Sequence, residues 1–218
     1  MENHKRKKKL YIIGAGGFGR QLESYLDQHP KEKVDWELMG YIDDNPNALE
    51  NVGSDYQILG NVHTYDFQEG DMVLIAIADL KAKMKIVELL RNKVTFFTYV
   101  SDTALVGKNV KLGEGSVICP GAKIGSNVSI GEFCIINLDT IIGHDSTIGK
   151  NNSIMPHVDV GGGSIIGDNI FMGTKATISP RLNVVDNTHI GVGAVVIKDI
   201  LEPGTYFGNP ARRMISSN

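Results

Sequence analysis

The sequence predicts an α/β plus β fold, a small α/β domain with a parallel sheet followed by a parallel β-helix, and three observations predict it. An aliphatic side chain recurs at every sixth position from 106 to 196 without a slip. Ahead of that array, an apolar run leads straight into Gly14-Ala15-Gly16-Gly17-Phe18-Gly19 and then into a helical pattern. Glycine accounts for 25 of the 218 residues with no collagen period, which suits a chain of many tight corners. The α/β domain is expected over residues 1–100, and the β-helix with a C-terminal tail over residues 101–218.

In chain order, residues 9–13 read as a buried strand, and the glycine run opens a helix that extends to about residue 28. A second strand spans residues 36–43, and Asp43-Asp44-Asn45-Pro46 begins a loop-rich stretch. The apolar run 72–77 is a third strand, residues 81–92 form an amphipathic helix, and a short strand at 94–99 leads into the repeats. Strands alternating with helices imply a parallel sheet, so this third of the chain is Rossmann-like.

The run from Gly14 to Gly19 satisfies G-x-G-x-x-G between a strand and a helix, and Asp43 ends the next strand where a ribose-binding acid would lie. Taken alone, that motif signals a dinucleotide. About a hundred residues leave no room for a second nucleotide-binding half, which argues against a redox enzyme. Two readings remain. In one, the backbone of Gly14, Gly16, Gly17 and Phe18 cradles a phosphate or pyrophosphate of a sugar nucleotide at the helix N-terminus, with Asp43 or Asp44 taking hydroxyl groups. In the other, the glycines serve tight helix-to-strand packing and hold no ligand.

The repeat series comprises sixteen residues, from Val106, Leu112 and Ile118 through Ile142, Ile148 and Ile154 to Val196. Two residues earlier the side chain is mostly small, as at Ala104, Ser116, Ala122, Thr140 and Ser146, and one residue later it is often glycine, as at Gly107, Gly125 and Gly143. A period of six fits neither a helix nor a simple strand alternation. It fits short strands joined by corners, three to a coil, with coils stacked about 4.8 Å apart. One aliphatic per strand makes a thin core, so burial of a prism face against other subunits is expected, and a homotrimer matches a three-sided prism.

A formal charge of −3 argues against a protein that coats nucleic acid, and no apolar run is long enough for membrane insertion. The basic start, with Lys5-Arg6-Lys7-Lys8-Lys9, precedes too short an apolar run for a signal peptide. Cys119 and Cys134 have no metal-ligand spacing. A cytoplasmic protein is the expectation.

Taken together, Ile13-Gly14-Ala15-Gly16-Gly17-Phe18-Gly19, Gly40-Tyr41-Ile42-Asp43-Asp44, Ile142-Gly143-His144-Asp145 and the closing Gly208-Asn209-Pro210-Ala211-Arg212 resemble a bacterial sugar acyltransferase family. That family includes sialic acid O-acetyltransferases and the N-acetyltransferases of UDP-4-amino sugars, and the match covers nearly the whole chain. The resemblance implies that the β-helix is left-handed, that acetyl-CoA is the cosubstrate and lies between two prisms, and that the acceptor is a nucleotide-linked, UDP-type 4-amino sugar. It further implies that His144 is the general base and that Asp145 holds its imidazole. The chemistry agrees, because an amine attacking a thioester must lose a proton and a histidine suits that task near neutrality.

By the same resemblance, CoA contacts fall on Gly162, Gly173, Ala176, Gly191, Gly193 and Ala194, where absent side chains let the pantetheine arm reach the backbone. Lys198 and Arg212 are either partners for the CoA phosphates or solvated side chains. One position departs from the family: Ser153 stands where a second histidine is common and helps place the acetyl group. His157 nearby either takes over that role or is a solvated corner residue. Sialic acid O-acetylation and a non-catalytic nucleotide-binding scaffold are the alternative functions. A zinc site is not expected, because His144 and His189 are 45 residues apart, or roughly 12 Å in height along one prism.

Overall fold

The computed structural model describes residues 7–214, so Lys5 and Arg6 of the basic run lie outside the described residues. The chain divides into two compact units, Met1–Phe97 and Thr98–Asn218.

In the first unit, strands β1 (Lys8–Ile13), β2 (Trp36–Ile42), β3 (Ile58–Gly60), β4 (Met72–Ile75) and β5 (Thr95–Phe96) form one sheet in the order β3-β2-β1-β4-β5. Every pairing is parallel. Helices α1 (Gly17–Leu26) and α2 (Leu80–Leu90) follow β1 and β4. From Leu10 onward β1, like β4, reads as an unbroken apolar run because a parallel sheet is covered on both faces, and Leu10, Ile12, Val73 and Leu74 are fully buried. Glu23 ties α1 to β2 and to the segment that precedes β3. It accepts from the hydroxyls of Tyr41 and Ser54 and from the Asp55 amide.

Two features of this unit depart from the sequence expectation. The loop-rich stretch contains β3, which pairs with β2 through only Tyr41↔Ile58 and Ile42↔Gly60 and carries no apolar alternation to announce it. The run at 94–99 is not one strand. The Phe97 amide donates to Val73 of the first sheet, whereas the Tyr99 amide donates to Ser116 of the second unit, so the chain changes sheet at Thr98.

The second unit is a parallel β-helix in which the sixfold repeat lays down two-residue strands on three faces. One face stacks Leu105–Val106, Lys123–Ile124, Ile141–Ile142, Asp159–Val160, Thr177–Ile178 and Val195–Val196. A second stacks Lys111–Leu112, Ser129–Ile130, Thr147–Ile148, Ile165–Ile166 and Asn183–Val184. The third begins at Tyr99–Val100, runs through Val117–Ile118, Ile135–Ile136, Ser153–Ile154 and Phe171–Met172 to Thr188–Ile190, and ends with Gly204–Phe207 and Arg212–Arg213. The repeat aliphatics from Ile118 to Val196 face the axis and form one continuous core. The expected tail is therefore part of the fold, since Gly204–Phe207 extends the third face and pairs antiparallel with Arg212–Arg213.

The corners repeat as strictly as the core. Every sixth residue from Asn109 to Gly193 has a left-handed backbone, with φ between 53° and 72°. Asn, Asp and Gly tolerate that region best and occupy most of these positions. The amide of each such residue from Asn127 onward donates down the axis to the preceding coil, as Asp145 does to Ser126 and Gly163 to His144. The small residue two before each aliphatic adds a second stitch where it carries a hydroxyl: Ser116 donates to the Gly131 carbonyl at 2.9 Å and Thr140 to that of Met155 at 2.9 Å. No helix among the described residues is long and apolar enough to cross a membrane.

Candidate active site

His144 and Asp145 sit on the corner between the Ile141–Ile142 and Thr147–Ile148 strands. Consecutive side chains on an extended chain point to opposite faces, but the left-handed backbone of Asp145 (φ 59°) breaks that alternation, and imidazole and carboxylate meet. His144 Nδ1 lies 2.7 Å from Asp145 Oδ2. An ionised carboxylate can only accept, so Nδ1 carries a proton, and in the neutral ring Nε2 keeps its lone pair. The other carboxylate oxygen, Oδ1, accepts from Asn127 Nδ2 at 2.9 Å. That bond, reinforced by the one from His144, holds the Asp145 carboxyl below its ordinary range. Both side chains are open to solvent, with relative exposures of 74% and 56%.

One coil along the axis from His144 stands Gly162. A Cβ there would lie 2.9 Å from His144 Nε2 and 3.1 Å from the ring carbons, so the missing side chain makes room for the imidazole. The family resemblance assigns Gly162 to the cosubstrate. The geometry gives it a duty toward His144.

The remaining histidines and Ser153 do not gather around His144. Ser153 lies on the third face, one corner further along the same coil, and its side chain is fully buried. His157 is exposed at a different edge, on the corner between Ser153–Ile154 and Asp159–Val160. His189 stacks on Phe171 with ring centroids 4.7 Å apart. Among the described residues, no group of three or more His, Cys, Asp or Glu side chains could hold a metal ion.

The positions expected to touch CoA divide in two. Ala176 and Ala194 face the axis inside the core. A Cβ on Gly173 would come 2.6 Å from the Val192 amide, and one on Gly191 would meet the Phe207 ring at 1.9 Å, so at both positions the next coil already demands glycine. Gly193 differs, having open space where a Cβ would be. Lys198 and Arg212 are exposed.

In the first unit, Ile13, Gly14, Ile42, Asp43, Asp44 and Ile77 line a cleft of about 130 Å³ at the carboxyl ends of β1, β2 and β4. The sheet order reverses between β1 and β4, which is where open α/β sheets bind ligands. The glycine loop is pinned there. Asp43 Oδ2 accepts from the Ala15 amide at 2.7 Å, its Oδ1 from the Asn45 amide at 2.8 Å, and Arg20 donates to the Ala15 carbonyl at 2.9 Å. Gly14 requires its left-handed φ of 99°, and a Cβ on Gly19 would strike the Gly14 carbonyl oxygen at 2.0 Å. Gly16 and Gly17, by contrast, face open space at the uncapped start of α1, and Phe18 beside them is half-buried. Asp44 Oδ1 accepts from the Val62 amide at 3.3 Å.

Sequence reasoning missed Asn109 and Asn127. Their spacing from Asp145 carried the signal, because 18 residues make one coil and the three positions stack.

Residues 9–90 match the model of the PglD N-terminal domain, and residues 103–137 match that of the bacterial transferase hexapeptide (six repeats). No curated protein matches the chain by sequence. Among solved structures, WeeI from Acinetobacter baumannii AYE is 27% identical, with 95% of this chain and 100% of that one covered at a TM-score of 0.80. The acetyltransferase domain of PglB from Neisseria gonorrhoeae FA1090 is 24% identical, with 95% and 100% covered at 0.82. PerB from Caulobacter crescentus, solved with CoA and GDP-perosamine, is 23% identical, with 94% and 97% covered at 0.83. The chain thus joins a PglD N-terminal domain to bacterial transferase hexapeptide repeats, the make-up of the hexapeptide-repeat sugar acyltransferases that its sequence resembles.

Proposed function

We propose that the protein is an acetyl-CoA-dependent N-acetyltransferase acting on a nucleotide-linked 4-amino sugar, with UDP as the nucleotide. The observation that carries this reading is the His144–Asp145 pair, in which Nδ1 is held at 2.7 Å and Nε2 is left to accept a proton at an exposed corner. Relatives of the same fold support it, since PerB was solved with CoA and GDP-perosamine and the PglB domain with acetyl coenzyme A. His144 Nε2 takes the amine proton as the nitrogen adds to the thioester carbonyl, then returns it to the departing thiolate. Asp145 stabilises the imidazolium formed between those steps.

The first unit holds the nucleotide, with a phosphate on the open amides of Gly16, Gly17 and Phe18 and sugar hydroxyls on the remaining lone pairs of Asp43 and Asp44. Cosubstrate contacts fall on backbone at Gly173, Ala176, Gly191, Gly193 and Ala194, with Lys198 and Arg212 toward its phosphates. The working protein is a cytoplasmic homotrimer, which suits two buried cysteines that form no disulfide and the exposed Leu105, Ile141 and Ile165 along two prism faces. Steady-state assays with acetyl-CoA and a panel of nucleotide-linked amino sugars test the reading. His144→Ala is expected to lower kcat by about 10²- to 10⁴-fold.

A further inference from the structure

The coil repeats every 18 residues, so Asn109, Asn127 and Asp145 stack on one edge of the prism. All three have left-handed backbones, with φ of 58°, 61° and 59°. Their side chains form a ladder: Asn109 Nδ2 donates to Asn127 Oδ1 at 3.1 Å, and Asn127 Nδ2 donates to Asp145 Oδ1 at 2.9 Å. The direction is forced. A carboxylate offers no donor, so Asn127 must present its amide hydrogens to Asp145 and its oxygen to Asn109. The next position in the stack is Gly163, which has no side chain, and the ladder therefore ends on the carboxylate.

We infer that Asn127 is a positioning residue for His144, acting through Asp145. An aspartate at an exposed corner can rotate its carboxylate and exchange its two oxygens. The amide of Asn127 occupies Oδ1 and stops that exchange, which leaves Oδ2 for His144 Nδ1. The Asn127 bond sets the carboxylate, the carboxylate sets the imidazole tautomer, and the tautomer leaves the lone pair on Nε2, the atom above Gly162. A similar rung elsewhere has no such consequence. Asn151 Nδ2 donates to Asn169 Oδ1 at 2.8 Å on another edge, away from His144. The inference rests on the reading of His144 as the base, and its test is chosen to separate the two.

Asn127→Gly removes the amide while keeping the residue that a left-handed corner accepts most easily. Asn169→Gly removes the acceptor of the other rung and serves as the control for a broken ladder away from His144. The tautomer of His144 is read by ¹⁵N imidazole NMR in the unliganded proteins, which needs no turnover. Kinetics with acetyl-CoA and the acceptor are read alongside. In the wild type His144 should be in the Nδ1–H form. Asn127→Gly should shift it toward the Nε2–H form and lower kcat by about 3- to 10-fold, the scale of one hydrogen bond to a charged group felt indirectly, with the KM for acetyl-CoA unchanged. Asn127→Asp, which sets one carboxylate against another, should shift the tautomer further. Asn169→Gly should do neither. An unchanged tautomer in Asn127→Gly overturns the inference whatever the turnover does, and so does an equal loss in Asn169→Gly, which would mark a purely structural role. Absence of acetyl transfer by the wild type with every acceptor would sink the proposed function instead, while the tautomer measurement would still decide the ladder.

Discussion

At the scale of residues, the site depends as much on a side chain that is missing as on those present. The backbone of Gly162 is one that alanine adopts without strain, yet an alanine Cβ would come within 2.9 Å of His144 Nε2. Gly162→Ala should therefore displace the imidazole without unfolding the coil. The expected outcome is a fall in kcat of about 10- to 100-fold, the usual cost of misplacing a reacting group by an ångström, with an unchanged denaturation midpoint. Normal turnover in this variant would mean that the ring works from another rotamer. Asp145 makes a different prediction. Its carboxyl is held low in the folded protein, first by the Asn127 amide and then by His144, so its stabilising effect is present above the ordinary aspartate range near 3.9 and is lost as pH falls through the folded value. The difference in urea midpoint between wild type and Asp145→Asn should be present at about pH 5 and should close as pH falls below about 4.

At the scale of elements, the sequence is most legible where spacing alone determines structure. One slip in the sixfold register would turn core aliphatics such as Ile142 and Ile154 out of the prism, so the uninterrupted period itself marks the strands from 106 to 196. The corners are partly legible. Asn109, Asn127 and Asp145 advertise a left-handed turn, but Phe133, Lys175 and Arg181 adopt the same backbone against their own preference, because the stacked coils impose it. β3 is illegible, being three residues long with no alternation, and the change of sheet at Thr98 is hidden inside a run that reads as one strand. The reach of Asn127 to Asp145 is hidden too, since residues a coil apart are neighbours only once the helix is wound. The glycine loop gives a prediction at this level. Gly19→Ala places a Cβ 2.0 Å from the Gly14 carbonyl oxygen, so α1 must move away from β1 and carry the amides of Gly16 and Gly17 with it. The KM for the sugar nucleotide should rise by about tenfold or more while the KM for acetyl-CoA holds. An equal rise in both would mean that the loop serves only the fold, and tight binding of NADH by calorimetry would restore the redox reading.

At the scale of the whole molecule, His144 and Ser153 lie on different parts of one prism, with Ser153 on the third face and its side chain buried. The proposed homotrimer is expected to cover the exposed aliphatics Leu105, Ile141 and Ile165. Light scattering should give three chain masses at working concentration, and a fully active monomer would overturn that arrangement. The central claim, that His144 deprotonates an amine on a nucleotide-linked sugar as it attacks acetyl-CoA, is tested most directly by thiol release from acetyl-CoA. The assay compares wild type with His144→Ala across a panel of UDP- and GDP-linked 4-amino sugars and free sialic acid. The account predicts rapid acetylation of an amino sugar by the wild type and a kcat about 10²- to 10⁴-fold lower in His144→Ala, with little change in the KM for acetyl-CoA. Near-normal turnover in His144→Ala, or transfer to sialic acid hydroxyls alone, would contradict it.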